Sequence, residues 1–187
     1  MLLDSKDATF TVPEGLIDTR KMSISFWTKD LRDGHIFHVV KSTNEVNYKN
    51  AFALTMEGGQ LKYIATSYSV FYEYNTRPAF NHSDISDGWH MIIITSDFNN
   101  ITFSTVTTSL YIDGVLTDVV TEYANPYTES EVGNKNQNYG AGIKFVLGGA
   151  LNSAMGRSFI IDNLRVYNTR LISASEVAQI YEAEGRK

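Results

Sequence analysis

The chain has 187 residues and three prolines, with no cysteine. One domain with a sizeable core is the expectation at this length, and the missing thiols exclude disulfides, thiolate metal sites and cysteine nucleophiles. A net charge of −5 argues against nucleic acid, whose phosphates need lysine and arginine clusters. No apolar run reaches the length of a membrane span, so membrane insertion is not expected.

Strand signals dominate in chain order. Ala8 to Val12 is a short run that stops at Pro13. From Met22 to Lys29 the chain alternates, with Met22, Ile24 and Phe26 on one face and Ser23, Ser25 and Trp27 on the other. Residues 35–41 and 51–56 follow, and Glu57-Gly58-Gly59-Gln60 reads as a hairpin turn into residues 61–68. A further strand is expected over residues 70–74. Trp89 to Thr95 is nearly all apolar, as a central strand covered on both faces would be. Ser109 to Ile112 and Val115 to Val120 flank Asp113-Gly114, a two-residue hairpin signal because both positions favour positive φ. Residues 143–147 and 159–167 read as the last strands.

On an ideal closing strand Ile160, Asp162, Leu164 and Val166 share one face, which puts Asp162 in an apolar row where it needs a donor, a cation or water. Ser173 stands three residues before Glu176, the spacing of a capping box, and Val177, Ile180 and Tyr181 make an apolar stripe before Gly185. The fold class expected is all-β: an antiparallel jelly-roll β-sandwich over 1–187 with one short C-terminal α-helix.

Five segments in order carry a family resemblance: Leu3-Asp4-Ser5-Lys6-Asp7, Ile24 to Lys29, Asp87-Gly-Trp-His90 with its apolar run, Leu110-Tyr-Ile-Asp-Gly114, and Phe145-Val-Leu-Gly-Gly149. Together with the strand and helix over 158–185, they resemble laminin-G-like domains of the concanavalin A-like lectin/glucanase superfamily. That resemblance implies a structural calcium site with Asp162 as a ligand and Asp4 or Asp7 as neighbours. Ser5 replaces the glycine usual in that first segment. The alternative is that Asp162 bonds to backbone or side-chain donors without a metal.

Two stretches separate strands more widely than the compact family pattern, Asp97 to Thr108 and Glu122 to Gly142. Long loops carry function disproportionately, so Asn125, Tyr127, Asn138 and Tyr139 are candidate ligand contacts. Tyr72 and Tyr74 share a face of an ideal strand and are candidate sugar platforms, because a ring face stacks on a pyranose. Single tyrosines more often pack in cores. His35 and His38 fall on opposite faces of an ideal strand, and no HExxH, phosphate loop or GxSxG elbow occurs. The acid-rich catalytic strand of the superfamily's glucanases is missing, and Glu129-Ser-Glu131 lies in a polar loop, so no catalytic carboxylate pair is expected and a glycoside hydrolase is the least favoured reading.

The expected function is therefore non-catalytic recognition or adhesion, with a glycan bound through the loops and the concave sheet, or a surface protein, as partner. The start, Met1-Leu-Leu-Asp4, has no secretory character. Two placements follow: a module excised from a secreted or cell-surface protein, or a virion component such as a phage decoration or fibre protein docked on a larger assembly.

Overall fold

The computed structural model describes residues 2–3, 8–11, 21–41, 50–68, 73–76, 79–85, 87–98, 105–123, 143–147, 159–168 and 170–185. The elements are β1 (Leu2–Leu3), β2 (Ala8–Thr11), β3 (Lys21–Lys29), β4 (Gly34–Lys41), β5 (Asn50–Glu57), β6 (Gln60–Tyr68), β7 (Glu73–Thr76), β8 (Trp89–Phe98), β9 (Thr105–Ile112), β10 (Val115–Tyr123), β11 (Ile143–Leu147), β12 (Phe159–Asn168) and α1 (Ala174–Glu184). They form two six-stranded antiparallel sheets. Sheet A has the order β1-β12-β3-β8-β9-β10 and sheet B the order β2-β11-β4-β5-β6-β7. This is the all-β sandwich with one short helix that the sequence calls for.

Alternation in β3 builds two cores at once. Met22, Ile24 and Phe26 point between the sheets and pack with Phe37, Leu54, Tyr63, Ile92, Ile94 and Leu110. Phe26 and Phe37 meet edge to face across the sandwich, with centroids 6.0 Å apart. Burying one such ring contributes roughly 1.5–3 kcal/mol, and the edge-on geometry adds about 1 kcal/mol. Trp27 points the other way, into a second core with Met91, Ile93, Tyr111, Ile172 and Val177. That core is the outer face of sheet A with α1 laid across it. It explains why β8 is apolar on both faces.

The chain reaches that outer face through a pinned linker. Ser23 is fully buried. Its hydroxyl donates to the Arg170 carbonyl at 2.9 Å and accepts from the Ile172 amide at 3.0 Å. Ser173 then caps α1: its Oγ accepts from the Glu176 amide, and the Glu176 carboxylate accepts from the Ser173 amide at 2.9 Å. These bonds satisfy amides that the first turn leaves without partners.

Two bulges overturn ideal-strand expectations. In β12 the register jumps from Asp162 opposite Trp27 to Arg165 opposite Ser25, and Asn163 takes φ +51°. One extra residue reverses the phase. Asp162 therefore lies on the outer face with Trp27, while Leu164 and Val166 pack against the inner core. The apolar row expected around Asp162 does not exist. In β4 the register jumps between His35 and Phe37, so His35 pairs with Thr55 and His38 with Ala53. Both positions belong to one face of sheet B, not opposite faces. The expected loop over 97–108 is also shorter, because β8 runs on to Phe98 and β9 starts at Thr105.

Candidate functional site

Strand directions sort the loops to two ends of the sandwich. β8 ends and β9 begins at the end from which β3 starts, and β10 finishes there too. β4 runs to that same end, from which β5 starts and to which β6 runs before β7. β11 begins there. Consequently the strand ends that flank residues 12–20, 42–49, 69–72, 99–104 and 124–142 all stand at one end of the sandwich. The opposite end carries the short 30–33 connection, the two tight hairpins and the strand ends that flank 4–7 and 148–158.

Of the candidate ligand contacts, Tyr72, Asn125, Tyr127, Asn138 and Tyr139 lie outside the described residues. The strand ends that bracket them, Tyr68 with Glu73 and Tyr123 with Ile143, belong to the first end. Tyr74 lies on edge strand β7, opposite Ser67. That is the row carrying Leu61 and Tyr63 farther along β6. Tyr63 itself is fully buried and belongs to the core.

Asp4 and Asp7 also lie outside the described residues. The β1–β12 register, Leu3 opposite Phe159, puts the start of that segment at the same end of sheet A from which β12 enters. Asp162 Oδ1 accepts from the Asn163 amide at 2.8 Å, closing the bulge. Calcium takes six to eight oxygens. Among the described residues no three aspartates, glutamates or histidines converge as a metal-binding group.

Several of the described carboxylates hold the fold together. Asp113 heads the β9–β10 hairpin with φ +51°, and Gly114 follows at φ +84°. One Asp113 oxygen accepts from the Met91 amide at 2.9 Å, and the other lies 2.8 Å from His90 Nδ1. His90 Nε2 lies 2.8 Å from the Asp87 carbonyl, so this ring bridges a loop and a hairpin. Asp33 accepts from the Gly59 amide at 3.1 Å, and Asp118 from the Asn81 amide at 2.7 Å. Glu184 accepts from Trp27 and pairs with Arg165. Glu176 is held below the usual carboxylate range, chiefly by the Ser173 amide, then by its hydroxyl and by Arg170.

Sequence reasoning had no means of finding the cluster of Trp27, Asn163, Arg165 and Glu184. Asn163 Nδ2 lies 3.4 Å from the same Glu184 oxygen that Trp27 uses. The signal for it, an acid in the last turn of an amphipathic helix, runs against the helix dipole and makes sense only beside Arg165. Among the described residues no helix is long and apolar enough to cross a membrane.

Comparison with known proteins gives a family. A family model described as the concanavalin A-like lectin/glucanases superfamily, of laminin G type, matches residues 4–178. No curated protein sequence matches the chain. Among solved structures, the Ruminococcus gnavus IT-sialidase CBM40 bound to α2,3-sialyllactose superposes with a TM-score of 0.58 at 13% identity, over 94% of this chain and 97% of that one. Domains LG4-5 of the mouse laminin α1 chain give 0.54 at 13%, over 87% and 39%. A fungal enzyme is similar as well: an endo-β-1,4-glucuronan lyase from Trichoderma reesei gives 0.55 at 12%, over 87% and 74%. Of a longer receptor-binding-domain structure the chain spans 35%. At these identities the likeness is one of fold.

Proposed function

The chain belongs to the laminin G-like family of the concanavalin A-like lectin/glucanases superfamily, and we propose that it is a non-catalytic module that recognises a glycan outside the cell. The observation that carries this reading is the sorting of loops. The segments holding Tyr72, Asn125, Tyr127, Asn138 and Tyr139 are bracketed by strand ends at one end of the sandwich. Aromatic rings and amide side chains are what a sugar needs, stacking from the one and paired hydrogen bonds from the other.

The two sheets supply the rigid frame that such loops require. The outer face of sheet A is filled by α1 and the Trp27 core, so recognition is assigned to the loop end. Structures of this fold include modules named for sugar binding, such as the CBM40 bound to sialyllactose, which supports a glycan in preference to another ligand. Catalysis has less support, because the described carboxylates that hydrogen-bond within the fold are committed to structural donors. Calcium is proposed as a structural ion, with Asp162 completed by Asp4 or Asp7.

A glycan array that includes sialylated sugars, read in calcium and in EDTA, tests the proposal. Binding that is lost in Tyr127→Ala or Tyr139→Ala supports it, and loss in EDTA extends it to the ion. Silence from the folded protein across the array would overturn the glycan reading and favour protein docking, as on a virion surface.

A further inference from the structure

We propose that His82 is a pH-sensitive latch: its neutral ring clasps residues 79–85 across one side of the sandwich, and acid releases them. After β7 the chain runs on beside β6 and then reaches the other sheet. Ala79 bridges to Lys62, and the Phe80 amide donates to the Leu61 carbonyl at 3.0 Å. The Asn81 amide donates to Asp118 Oδ2 at 2.7 Å, and Asp118 belongs to β10, the edge strand of sheet A. Residues 79–85 thus form a strap that ties β6 of sheet B to the edge of sheet A. Phe80 and Ile85 anchor it, both buried in the core between the sheets.

The hydrogen bonds of His82 fix its proton. The Leu61 amide donates to His82 Nε2 at 2.9 Å. A backbone N–H can only donate, so this ring nitrogen carries no hydrogen. The other nitrogen, Nδ1, lies 2.7 Å from the Ser83 carbonyl and donates to it. The clasp therefore requires the neutral ring with its hydrogen on Nδ1. A second proton would set N–H against N–H and leave the Leu61 amide without an acceptor. Leu61 is fully buried, and a buried donor that loses its partner is costly. The clasp holds while the ring is neutral and is lost as the ring charges.

His90 has the opposite demand. Its Nδ1 lies 2.8 Å from Asp113 Oδ2 and its Nε2 2.8 Å from the Asp87 carbonyl. Both neighbours are acceptors, so a second proton suits that ring. Acid therefore loosens the strap and not the β9–β10 hairpin. The charged groups on the elements around His82 are few. Lys62 on β6 pairs with Glu57 at 2.8 Å. Asp33 accepts from the Gly59 amide, and Asp118 accepts from the Asn81 and Val119 amides. Asp84 is exposed on the strap itself. In acidic surroundings the strap lifts, and the side of the sandwich at Leu61 and Phe80 opens while the rest stands.

The test is residue-resolved amide hydrogen exchange by NMR on the whole chain, from about pH 8 to about pH 5, the range in which histidine changes charge. Rates are read as protection factors, which divides out the intrinsic effect of pH on exchange. The Leu61 amide reports the clasp. The Met91 amide, which donates to Asp113 Oδ1 beside His90, is the internal control. Leu61 protection is expected to fall by about tenfold across the range as the released ring takes up its proton, with Met91 unchanged. His82→Gln offers a side-chain oxygen in place of Nε2 and does not titrate, so its Leu61 protection should stay level. Circular dichroism confirms that this variant folds. Level protection of Leu61 in the wild-type chain overturns the proposal whatever the variant does. A parallel fall in His82→Gln assigns the effect to another group, such as Asp84 or Asp118, and also overturns it. An equal fall at Met91 shows general loosening and overturns the local latch. Glycan binding is not read in these experiments, so their outcome is independent of the proposed ligand.

Discussion

The indole Nε1 of Trp27 donates to Glu184 Oε2 at 2.9 Å, joining an early strand to the last turn of the helix across 157 residues of sequence. The ring of Trp27 also stacks on Tyr181, with centroids 5.8 Å apart and planes 20° from parallel. Glu184 ends a helix where the dipole disfavours an acid, and its partners Trp27, Asn163 and Arg165 offset that cost. Glu184→Ala leaves a buried N–H without its acceptor. Hydrogen bonds to a charged group contribute about 2 kcal/mol, so a fall in melting temperature of roughly 6 °C is expected for a domain of this size. In a double-mutant cycle with Trp27→Phe, read by urea denaturation, the two losses should be less than additive by about 1 kcal/mol. Strict additivity would show that the bond contributes nothing.

Gly114 and Gly88 form a matched pair. Both have φ +84°, so alanine at either position suffers the same backbone strain. They differ in surroundings: a Cβ at Gly114 would stand 3.0 Å from Tyr181 Cβ, whereas one at Gly88 would meet nothing within 4 Å. Gly114→Ala should therefore cost at least about 1 kcal/mol more than Gly88→Ala, the usual scale of overpacking. It should also shift tryptophan fluorescence, because the clash displaces the ring that stacks on Trp27. Equal losses would mean that the hairpin and helix give way freely.

Helix anchoring depends on pH through Glu176. Its carboxyl is held below its ordinary value in the folded chain, first by the Ser173 amide. A depressed folded value means the unfolded chain takes up the proton first as pH falls. The stabilisation is therefore complete above the ordinary glutamate range and is lost as pH drops through the lowered folded value. Wild type should be more stable than Glu176→Gln at neutral pH, and the difference should close on acidification through that window. A gap that stays constant down to the acid limb would remove Glu176 from the linkage.

Much of the sandwich is legible locally. The alternation of β3, the apolar run of β8, the Asp113-Gly114 turn and the Ser173–Glu176 box each carry their own physical signal over a few residues. The errors occur where one residue is inserted. Nothing in Asp162-Asn163-Leu164 announces that Asn163 adopts φ +51°, yet that choice moves Asp162 from a supposed apolar row to the helix-covered face. The same holds for Ile36, which brings the His35 and His38 positions to one face. A bulge is decided by the neighbouring strand, whose residues come from far along the chain.

Composition and periodicity determine that this chain is a cysteine-free, all-β domain with one capped helix, because burial of alternate side chains is a local demand that the sequence must meet everywhere. Which strands are neighbours, which face α1 covers, which end gathers the long loops and which strand is left at a long edge are settled only by the tertiary structure. Those features depend on pairings between residues far apart in sequence, such as Trp27 with Glu184 across 157 residues, and their free energy exists only once both partners are in place.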